Sequence, residues 1–511
     1  MKKISFTRQT FGAIVVTAIG KIFAFIRTAV CASIFGATDE TDAFYMATGM
    51  LTIISGPSAS LTTVIVPLRT KIITEEGTEE ADKFASTLLN LTLILAFGTG
   101  ILTYILAPQL VKIFAPDFSG EIYTLTVLLV RIFIPLIVTL NLVSFFCGIL
   151  NTHHRFVAAN LIGLALNIGW LIVPLLLAAR LGIFAMVWGY ILGSLLQVIV
   201  LLPSLREVFH YRFLTNKKTK LIKQAIFMCL PVFIGTFPQQ INQMVSRALA
   251  SGLTEGSVSA LAYAMQLITL MHGIILVPIV ASIFSLLSAL AQNNDLPSFK
   301  QLIMRGFSIF TLILLPVTVF SLIFNTEIVY IVFQRGAFDE AAGHLTRSAF
   351  IFYSLSFLPA ALGLLLTRGF YALYDTKTPL YISLAGAAFN IILSLGLVRH
   401  MGIGGLALAT SIASVVTLIL LIFYLRQNIG PLGLIFLCGD LGKIVTALVV
   451  CTCFALAVKL FLDASPFMSL FTAALVGLLS YVVVLIFLKQ SYTLSLLEKM
   501  YAKIQHRDCG L

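Results

Sequence analysis

The chain has 511 residues, of which 59% are hydrophobic and 11% charged, and its formal net charge is +12. A soluble chain carries about 25% charged residues, so this composition excludes an ordinary soluble protein. Apolar stretches of about 20 residues recur almost from end to end. This excludes a transmembrane β-barrel with its ~10-residue strands and predicts an all-α polytopic membrane protein.

The positive net charge and the cysteines also fit a membrane protein. Lysine and arginine are enriched in cytoplasmic loops, so we expect no nucleic-acid partner. The seven cysteines are scattered and form no CxxC pair. We therefore expect no metal site, no disulfide framework and no cofactor.

The first predicted span carries two cations. The segment MKKISFTRQT leads into it without a cleavage site, so the span is expected to be retained. Lys21 and Arg27 lie six residues apart in KIFAFIR, a spacing of about 120° and about 9 Å on a helix. A cation at bilayer depth costs at least ~2.5–3.5 kcal/mol, so both residues predict a cavity lining for phosphate or pyrophosphate. Alternatively, Arg27 lies near the outer end of its span and extends to water.

Asp42 begins the second predicted span, in GATDETDAF. An acid at a helix start stabilises the N-terminus by capping it. The alternative is that Asp42 pairs with Arg27 across the short turn between the first two spans, and so holds or gates the guanidinium.

The apolar pattern predicts fourteen spans and places both termini in the cytoplasm. With that orientation, and with cations near a span end counted with the adjoining loop, 23 Lys and Arg fall on the inner side, 6 on the outer side and 4 deeper within spans, as the positive-inside rule requires. Several spans contain proline, which favours bent helices around a cavity. The predicted spans are approximately 10–35, 41–68, 85–107, 122–150, 156–179, 182–205, 222–250, 256–291, 303–325, 343–372, 378–398, 402–425, 442–463 and 466–488.

Two parts of the sequence resemble each other. LGIFAMVWGYILGSLLQVIVLL begins at Leu181, and MGIGGLALATSIASVVTLILLI begins about 220 residues later at Met401. GILNTHHRF at 148–156 and RGFYALYDTKTP at 368–379 stand at matching places before them. The repeat predicts two pseudo-symmetric six-helix lobes, 1–215 and 216–430, with a site between them. Two extra C-terminal helices then fall in 431–511.

The predicted spans of the second lobe contain almost no charge. Interhelical hydrogen bonding is expected for most of their polar residues, among which Asn242 and Gln266 are the candidates for the cavity wall. The basic segment 206–223 is expected to lie on the inner leaflet or to bind a protein. The sequence contains no phosphate-binding loop, no HExxH or GxSxG motif and no catalytic carboxylate pair within the spans. Neither an ATP-driven pump nor an enzyme is therefore predicted.

Three segments resemble those of a known family. RTAVCASIFGATDETDAFY at 27–45 resembles the signature of the MurJ (MviN) family of lipid II flippases, and GILNTHHRF and GFYALYDTKTP resemble two of its loops. The resemblance implies the fold of the multidrug/oligosaccharidyl-lipid/polysaccharide exporter superfamily, with a cationic cavity and a lipid-tail groove at the last two spans. It implies that lipid II, the undecaprenyl-pyrophosphate-linked peptidoglycan precursor, moves from the inner to the outer leaflet of the bacterial cytoplasmic membrane by alternating access.

The resemblance also implies roles for single residues. Arg27 matches a cavity arginine of the family and Asp42 a required acid, while Lys21 stands where the family commonly has another arginine. Two further family arginines, on spans 2 and 8, fall at Ser55 and Gln266 in this sequence. The resemblance therefore implies a less cationic cavity than the family pattern.

These departures leave alternatives open. Another undecaprenyl-linked glycan, of O-antigen or capsule type, is an alternative cargo. A drug or cation antiporter is less favoured because spans 7–12 contain no acid at depth, which also argues against sodium coupling. The membrane potential, at ~2.3 kcal/mol per charge per 100 mV, is then the expected driving force. As partners we expect the lipid-linked substrate, membrane lipids and the cell-wall synthesis machinery, with the chain itself a monomer.

Overall fold

The computed structural model describes residues 2–213, 219–432, 435–461 and 465–490, and within these ranges the regular secondary structure is helical throughout. Helices suit an apolar solvent because they pair their backbone groups internally. The first half contains α1 (Lys2–Phe35), α2 (Asp39–Glu76), α3 (Thr78–Phe114), α4 (Gly120–Ile132), α5 (Ile134–Thr152), α6 (Phe156–Leu181) and α7 (Phe184–Arg206). The second half contains α8 (Thr219–Ala250), α9 (Ser257–Met271), a π-helical turn (His272–Leu276), α10 (Val277–Gln292), α11 (Leu296–Ile323), α12 (Asn325–Phe333), α13 (Glu340–Ser354), α14 (Phe357–Ala372), α15 (Lys377–Ile429), α16 (Ile435–Phe461) and α17 (Pro466–Phe487).

Ten of the described helices are long and apolar enough to cross a membrane, and α13 with α14, bent by 46°, makes an eleventh. The predicted all-α polytopic membrane protein is thereby confirmed, whereas the number fourteen stays a prediction. Single helices and spans do not correspond one to one. At 53 residues, α15 is about 80 Å long, too long for one crossing of a ~30 Å core. Its backbone breaks at Gly402, where φ is 54° and ψ is −132°, close to the predicted boundary between two spans.

Other predicted spans are divided by local features. The fourth predicted span is split at Phe133 into α4 and α5, and Pro135 follows in the first turn of α5. Proline lacks the amide that would continue the helical hydrogen bonding, so the break follows from the sequence. The eighth predicted span is interrupted by the π-helical turn His272–Leu276.

Contacts within the chain divide it into two compact units. Unit 1 comprises Met1–Ile274, Arg335–Thr346 and Asn390–Leu406, and unit 2 comprises Ile275–Gln334, Arg347–Phe389 and Ala407–Leu511. The predicted lobes 1–215 and 216–430 and the C-terminal addition 431–511 stay predictions.

Unit 1 is packed through small residues as well as through apolar side chains. Phe84, Phe145 and Leu201, on α3, α5 and α7, are fully buried in one cluster. Between α6 and α7, a Cβ added at Gly169 would overlap the backbone of Gly193. Such small residues let membrane helices approach closely, and this approach positions the aromatic side chains described below.

Unit 2 has a separate core. Phe299 and Phe310 of α11, Leu365 of α14 and Leu425 of α15 are fully buried together. The last two helices attach to it by polar contacts as well, since the Tyr481 hydroxyl of α17 donates to the Leu312 carbonyl at 3.0 Å.

Candidate functional site

Arg27 lies on α1 with its guanidinium against an aromatic stack. The guanidinium carbon is 3.8 Å from the centroid of the Trp170 ring, and Nη2 donates to the Thr28 hydroxyl at 3.2 Å. Trp170 in turn stacks on Tyr190, with centroids 4.3 Å apart and an interplanar angle of 2°. The guanidinium therefore contacts α6 instead of extending along α1, and the cation–π contact stabilises it by about 0.5–2 kcal/mol.

The sequence of α6 and α7 explains this stack. Gly189 precedes Tyr190, and a Cβ at Gly189 would come within 3.1 Å of the Trp170 carbonyl oxygen. A side chain there would force α6 and α7 to shift by a few tenths of an ångström, so glycine favours the close approach. Trp170 itself is 8% exposed, so the surface on which Arg27 rests is fixed by packing.

Lys21 occupies a different side of α1. A Cβ added at Gly273, in the π-helical turn, would lie 3.3 Å from Lys21 Cγ and 3.5 Å from Cε. The aliphatic part of Lys21 thus packs against a backbone that has no side chain at this point. Single π-helical turns are common at functional sites. Within the described ranges, the Lys21 amine forms no ion pair and no hydrogen bond.

Asp42 is buried, 3% exposed, and caps a helix other than its own. Its Oδ1 accepts the backbone N–H of Ser259 at 2.7 Å, the third residue of α9. Gly256, the N-cap residue of α9, has no side chain with which to cap it, so the carboxylate of Asp42 stabilises that helix start from outside. At the start of α2, the cap is Thr38, which forms a capping box with Thr41.

The predicted pair of Asp42 and Arg27 is absent from this structure. The Asp42 carboxylate faces the first turn of α9, and Arg27 contacts Trp170 and Thr28. This alternative for Asp42 was wrong, because its carboxylate is turned to the backbone N–H of Ser259, 217 residues away.

The turn between α1 and α2 docks onto two other segments of unit 1. The Tyr263 hydroxyl donates to the Gly36 carbonyl at 2.7 Å, and the Ala337 N–H donates to the Ser33 carbonyl at 2.8 Å. The Asp39 N–H donates to Glu255 at 3.2 Å. We call these contacts of residues 33–42 with 255–263 and 336–338 the closed end of unit 1.

Two glycines make the closed end possible. A Cβ at Gly256 would overlap the Ala37 carbonyl, and a Cβ at Gly336 would overlap the Ser33 carbonyl. Both glycines also have positive φ, 80° and 60°, a region that side chains disfavour. The closed end therefore depends on glycine for space and for backbone conformation.

Asn242 and Gln266, the two candidates from the second predicted lobe, are partly buried on α8 and α9. Oδ1 of Asn242 is a buried acceptor without a hydrogen-bond partner in the described structure, as are the Ser55 hydroxyl and Oε1 of Gln240. Buried polar atoms normally find a partner in protein or water, so these three atoms of α2 and α8 are left to pair with water or a ligand. Roles for Asn242 and Gln266 in binding stay predictions.

Arg69 forms a second polar centre, at the other end of α2. It is 0% exposed, and Nη2 contacts Asp82 Oδ1 at 2.8 Å and the Val208 carbonyl at 2.9 Å. Its Nη1 lies 2.7 Å from Nε2 of His153. Because a guanidinium only donates, Nε2 of His153 must be the acceptor, and its ring is neutral. Burial and then the charge of Arg69 lower the pKa of His153 from its usual value of 6.5.

Sequence reasoning missed three of these residues. Trp170 had a weak signal, because the chain has only two tryptophans. Arg69 and Arg247 fall at the ends of the predicted spans 41–68 and 222–250, where cations are common, so neither stood out. In the structure, Nη1 of Arg247 donates to the Tyr45 carbonyl of α2 at 2.6 Å, and a partner 202 residues away leaves no local pattern.

A multi-pass helical chain with two partly buried cations on its first helix belongs to the class of polytopic membrane proteins. Solved structures share its fold. The chain matches a structure described as lipid II flippase MurJ, inward closed conformation, with a TM-score of 0.80 and 23% identity over 95% of this chain and 99% of that one. It matches an inward-facing multidrug resistance MATE family transporter of the MOP superfamily with a TM-score of 0.71 and 14% identity over 83% and 98%.

The family model described as lipid II flippase MurJ matches residues 31–482, and the chain therefore belongs to the MurJ family, as the sequence resemblance predicted. A probable lipid II flippase MurJ of Rickettsia prowazekii is 28% identical over 427 residues, which are 80% of this chain and 81% of that protein. The lipid II flippase MurJ of Burkholderia cenocepacia is 24% identical over 426 residues, 81% of this chain and 82% of that protein. The chain is thus a multi-pass protein of the bacterial inner membrane.

Proposed function

We propose that this chain translocates lipid II from the inner to the outer leaflet of the cytoplasmic membrane by alternating access, as a transporter and not as an enzyme. Membership of the MurJ family supports the cargo, since related proteins carry the name lipid II flippase. The observation that carries the proposal is Arg27, a cation of a membrane-spanning helix that rests on Trp170. In the described ranges no carboxylate lies within ion-pairing distance of it.

The contact with Trp170 leaves Arg27 able to bind an anion. A guanidinium stacked on a ring by one face still has its N–H groups at the edge, where they match two phosphate oxygens. In the structure, the Thr28 hydroxyl takes one donor. Lys21 supplies a second cation on α1, about 9 Å along the helix and about 120° around it, so the two cations border one site only if the cavity is wide.

The closed end supplies the part of the protein that would open and close. It is held by four described hydrogen bonds, of which two are accepted by carboxylates, from the Ser259 N–H to Asp42 and from the Asp39 N–H to Glu255. A neutral hydrogen bond contributes about 0.5–1.5 kcal/mol and a charged one about 1.5–3 kcal/mol. A cargo that binds one state more tightly by a few kcal/mol is sufficient to shift such an equilibrium.

The test is complementation by Arg27→Ala in a cell depleted of the native protein. Loss of charged hydrogen bonds worth about 1.5–3 kcal/mol predicts a tenfold or greater loss of translocation, at normal protein abundance. Arg180→Ala, at the exposed end of α6, is the matched control and should transport normally. Full transport by Arg27→Ala would remove the main support for the proposal.

A related undecaprenyl-linked glycan is the second candidate cargo. It is favoured by Ser55 and Gln266, which stand where the family resemblance places arginines, and by the unpartnered Ser55 hydroxyl, since hydrogen-bonding groups suit sugars as well as phosphates. The two cargoes are separated by depleting the protein and identifying the lipid-linked intermediate that accumulates on the inner leaflet. The drug-antiporter alternative is tested separately: a drug antiporter expressed in cells that lack dye efflux would restore gradient-driven efflux of the dye.

The remaining expectations concern orientation, energy and partners. We expect both termini in the cytoplasm, a monomer, and association with the cell-wall synthesis machinery. The membrane potential would act on Lys21 and Arg27 with ~2.3 kcal/mol per charge per 100 mV. Reaction of single cysteines with an impermeant reagent tests the orientation, and a potential imposed on proteoliposomes tests the energy source.

A further inference from the structure

A lateral groove lies between α3 and the first turns of α5 in unit 1. Its volume is about 500 Å³, and its walls include Phe97, Gly100 and Tyr104 of α3 and Pro135 and Val138 of α5. Ligand sites in proteins commonly have about 300–1,000 Å³. The groove arises from the sequence, because Gly100 contributes no side chain and Pro135 stands at the break between α4 and α5.

The α3 side of the groove is exposed. The side chains of Phe97, Ile101 and Tyr104 are 58%, 63% and 53% exposed. The Thr139 hydroxyl, a polar group of the lining, already donates within the protein. The groove therefore offers an apolar surface of a kind that a lipid chain fills.

A single cation borders this groove. Nε of Arg131 donates to the Tyr104 carbonyl at 3.3 Å, and its guanidinium carbon is 4.9 Å from the centroid of the Tyr104 ring. Within the described ranges no carboxylate pairs with Arg131, so the donors on Nη1 and Nη2 are unused by the protein. A guanidinium beside lipid that uses one of its five donors is poorly satisfied.

The depth of Arg131 matches a lipid headgroup. Tyr104 lies ten residues before the end of α3 at Phe114, a distance of about 15 Å. With 37 residues, α3 is about 55 Å long, about 25 Å more than the hydrocarbon core. When that excess is shared between its two ends, Tyr104 and Arg131 lie close to the headgroup boundary, on the periplasmic side in the predicted orientation.

We propose that the groove and Arg131 bind an anionic glycerophospholipid, with one acyl chain between α3 and α5 and the phosphate on the Arg131 guanidinium. The acyl chain alone gives little preference for the groove over the bilayer, because bulk lipid is as apolar as the groove. The headgroup decides the occupant, since an extra negative charge favours binding beside an unpaired arginine. This inference is independent of which cargo the protein transports.

The experiment measures lipids retained by the purified full chain in native mass spectrometry. Phosphatidylglycerol and phosphatidylethanolamine with identical chains are offered in equal amounts. The wild type should retain phosphatidylglycerol about fivefold over phosphatidylethanolamine, the preference expected for one basic residue near a headgroup. Arg131→Gln should reduce this ratio to about one, while Arg180→Gln, which removes an exposed cation at the end of α6, should leave it unchanged.

Filling the groove is tested by a second variant that keeps the cation. Val138→Phe should lower retention of both lipids and leave the thermal unfolding midpoint of the lipid-free protein within a few degrees of wild type. Equal retention of the two lipids by the wild type, or an unchanged ratio in Arg131→Gln, would overturn the proposal. So would displacement of phosphatidylglycerol by undecaprenyl phosphate at equal concentration, which would assign the groove to the carrier lipid. If Arg131→Gln does not fold, unchanged lipid retention in Val138→Phe is by itself sufficient to overturn the proposal.

Discussion

The guanidinium of Arg27 lies 3.8 Å from the ring centroid of Trp170, and these two residues come from α1 and α6. Arg27 is therefore oriented by a contact between two helices. A preorganised cation loses less conformational entropy on binding than a mobile one. Trp170 is thus proposed as a positioning residue, which acts through Arg27.

Replacing Trp170 tests this relationship. Trp170→Leu removes the cation–π contact, worth about 0.5–2 kcal/mol, and should reduce translocation about 2- to 30-fold. Trp170→Phe should retain part of the activity, because a smaller aromatic face remains. Translocation into proteoliposomes is measured at several cargo concentrations, and a positioning role predicts a raised apparent KM.

The second tryptophan of the chain provides the control. Trp188 lies on α7 and is 50% exposed, so Trp188→Leu removes an indole without touching Arg27. If Trp170→Leu and Trp188→Leu transported equally well, the stack would have no part in positioning the cation.

Asp42 is expected to control the closed end. Asp42→Ala leaves the first turn of α9 without its external cap and should weaken the closed end by about 1.5–3 kcal/mol. Asp42→Asn keeps an acceptor oxygen and should lose less. The measurement is the reaction rate of a cysteine placed at Ala337, beside Ser33, with an impermeant thiol reagent, which should rise in Asp42→Ala.

The control for Asp42 is Glu40, an exposed acid in the first turn of the same helix. Glu40→Gln removes one negative charge close by and leaves the Ser259 contact intact, so the thiol reaction should be unchanged. A rate in Asp42→Ala equal to that in Glu40→Gln would contradict the capping role.

Whether a contact in this protein can be predicted from the sequence depends on how far apart the two residues lie along the chain. Lys21 and Arg27 stand out in the sequence because a charge inside an apolar run is visible locally. Their helical spacing of about 120° agrees with their different neighbours, Gly273 and Trp170. The partner of Asp42 was not predictable, because Ser259 lies 217 residues away. The span number was equally limited, since hydropathy does not locate breaks such as Phe133.

His153 predicts a pH dependence of stability. Its pKa is lowered in the folded chain by burial and by Arg69, so the unfolded chain binds more protons below the usual value of about 6.5. Stability therefore rises with pH between the folded pKa and about 6.5, and it is lost as the pH falls through that window. His153→Gln keeps an acceptor for Arg69 and should reduce the fall in the unfolding midpoint between pH 7.5 and pH 5.

His400, an exposed residue of α15, gives the comparison. His400→Gln should keep the wild-type pH dependence. An identical pH profile for wild type and His153→Gln would show that protonation of this ring does not limit stability.

Lys459 and Glu327 form an ion pair that attaches α16 to α12 in unit 2. Nζ lies 2.9 Å from Glu327 Oε1 and donates to the Ile323 carbonyl at 2.9 Å. The side chains are 32% and 15% exposed. Removal of one partner from a fully buried pair costs about 3–5 kcal/mol, and solvent screening makes about 1–3 kcal/mol the expectation here.

Lys459→Met should therefore lower the unfolding midpoint, because Glu327 keeps a charge with no partner. The double variant Lys459→Met with Glu327→Gln removes that charge and should recover most of the loss, which a thermal denaturation series in one detergent measures directly. Additive losses in the two single variants and the double variant would mean that the two residues do not interact energetically. The predicted lipid-tail groove involves these last helices, so the ion pair could serve either the groove or the attachment of α16. A restored midpoint with normal translocation in the double variant would assign the pair to the attachment of α16.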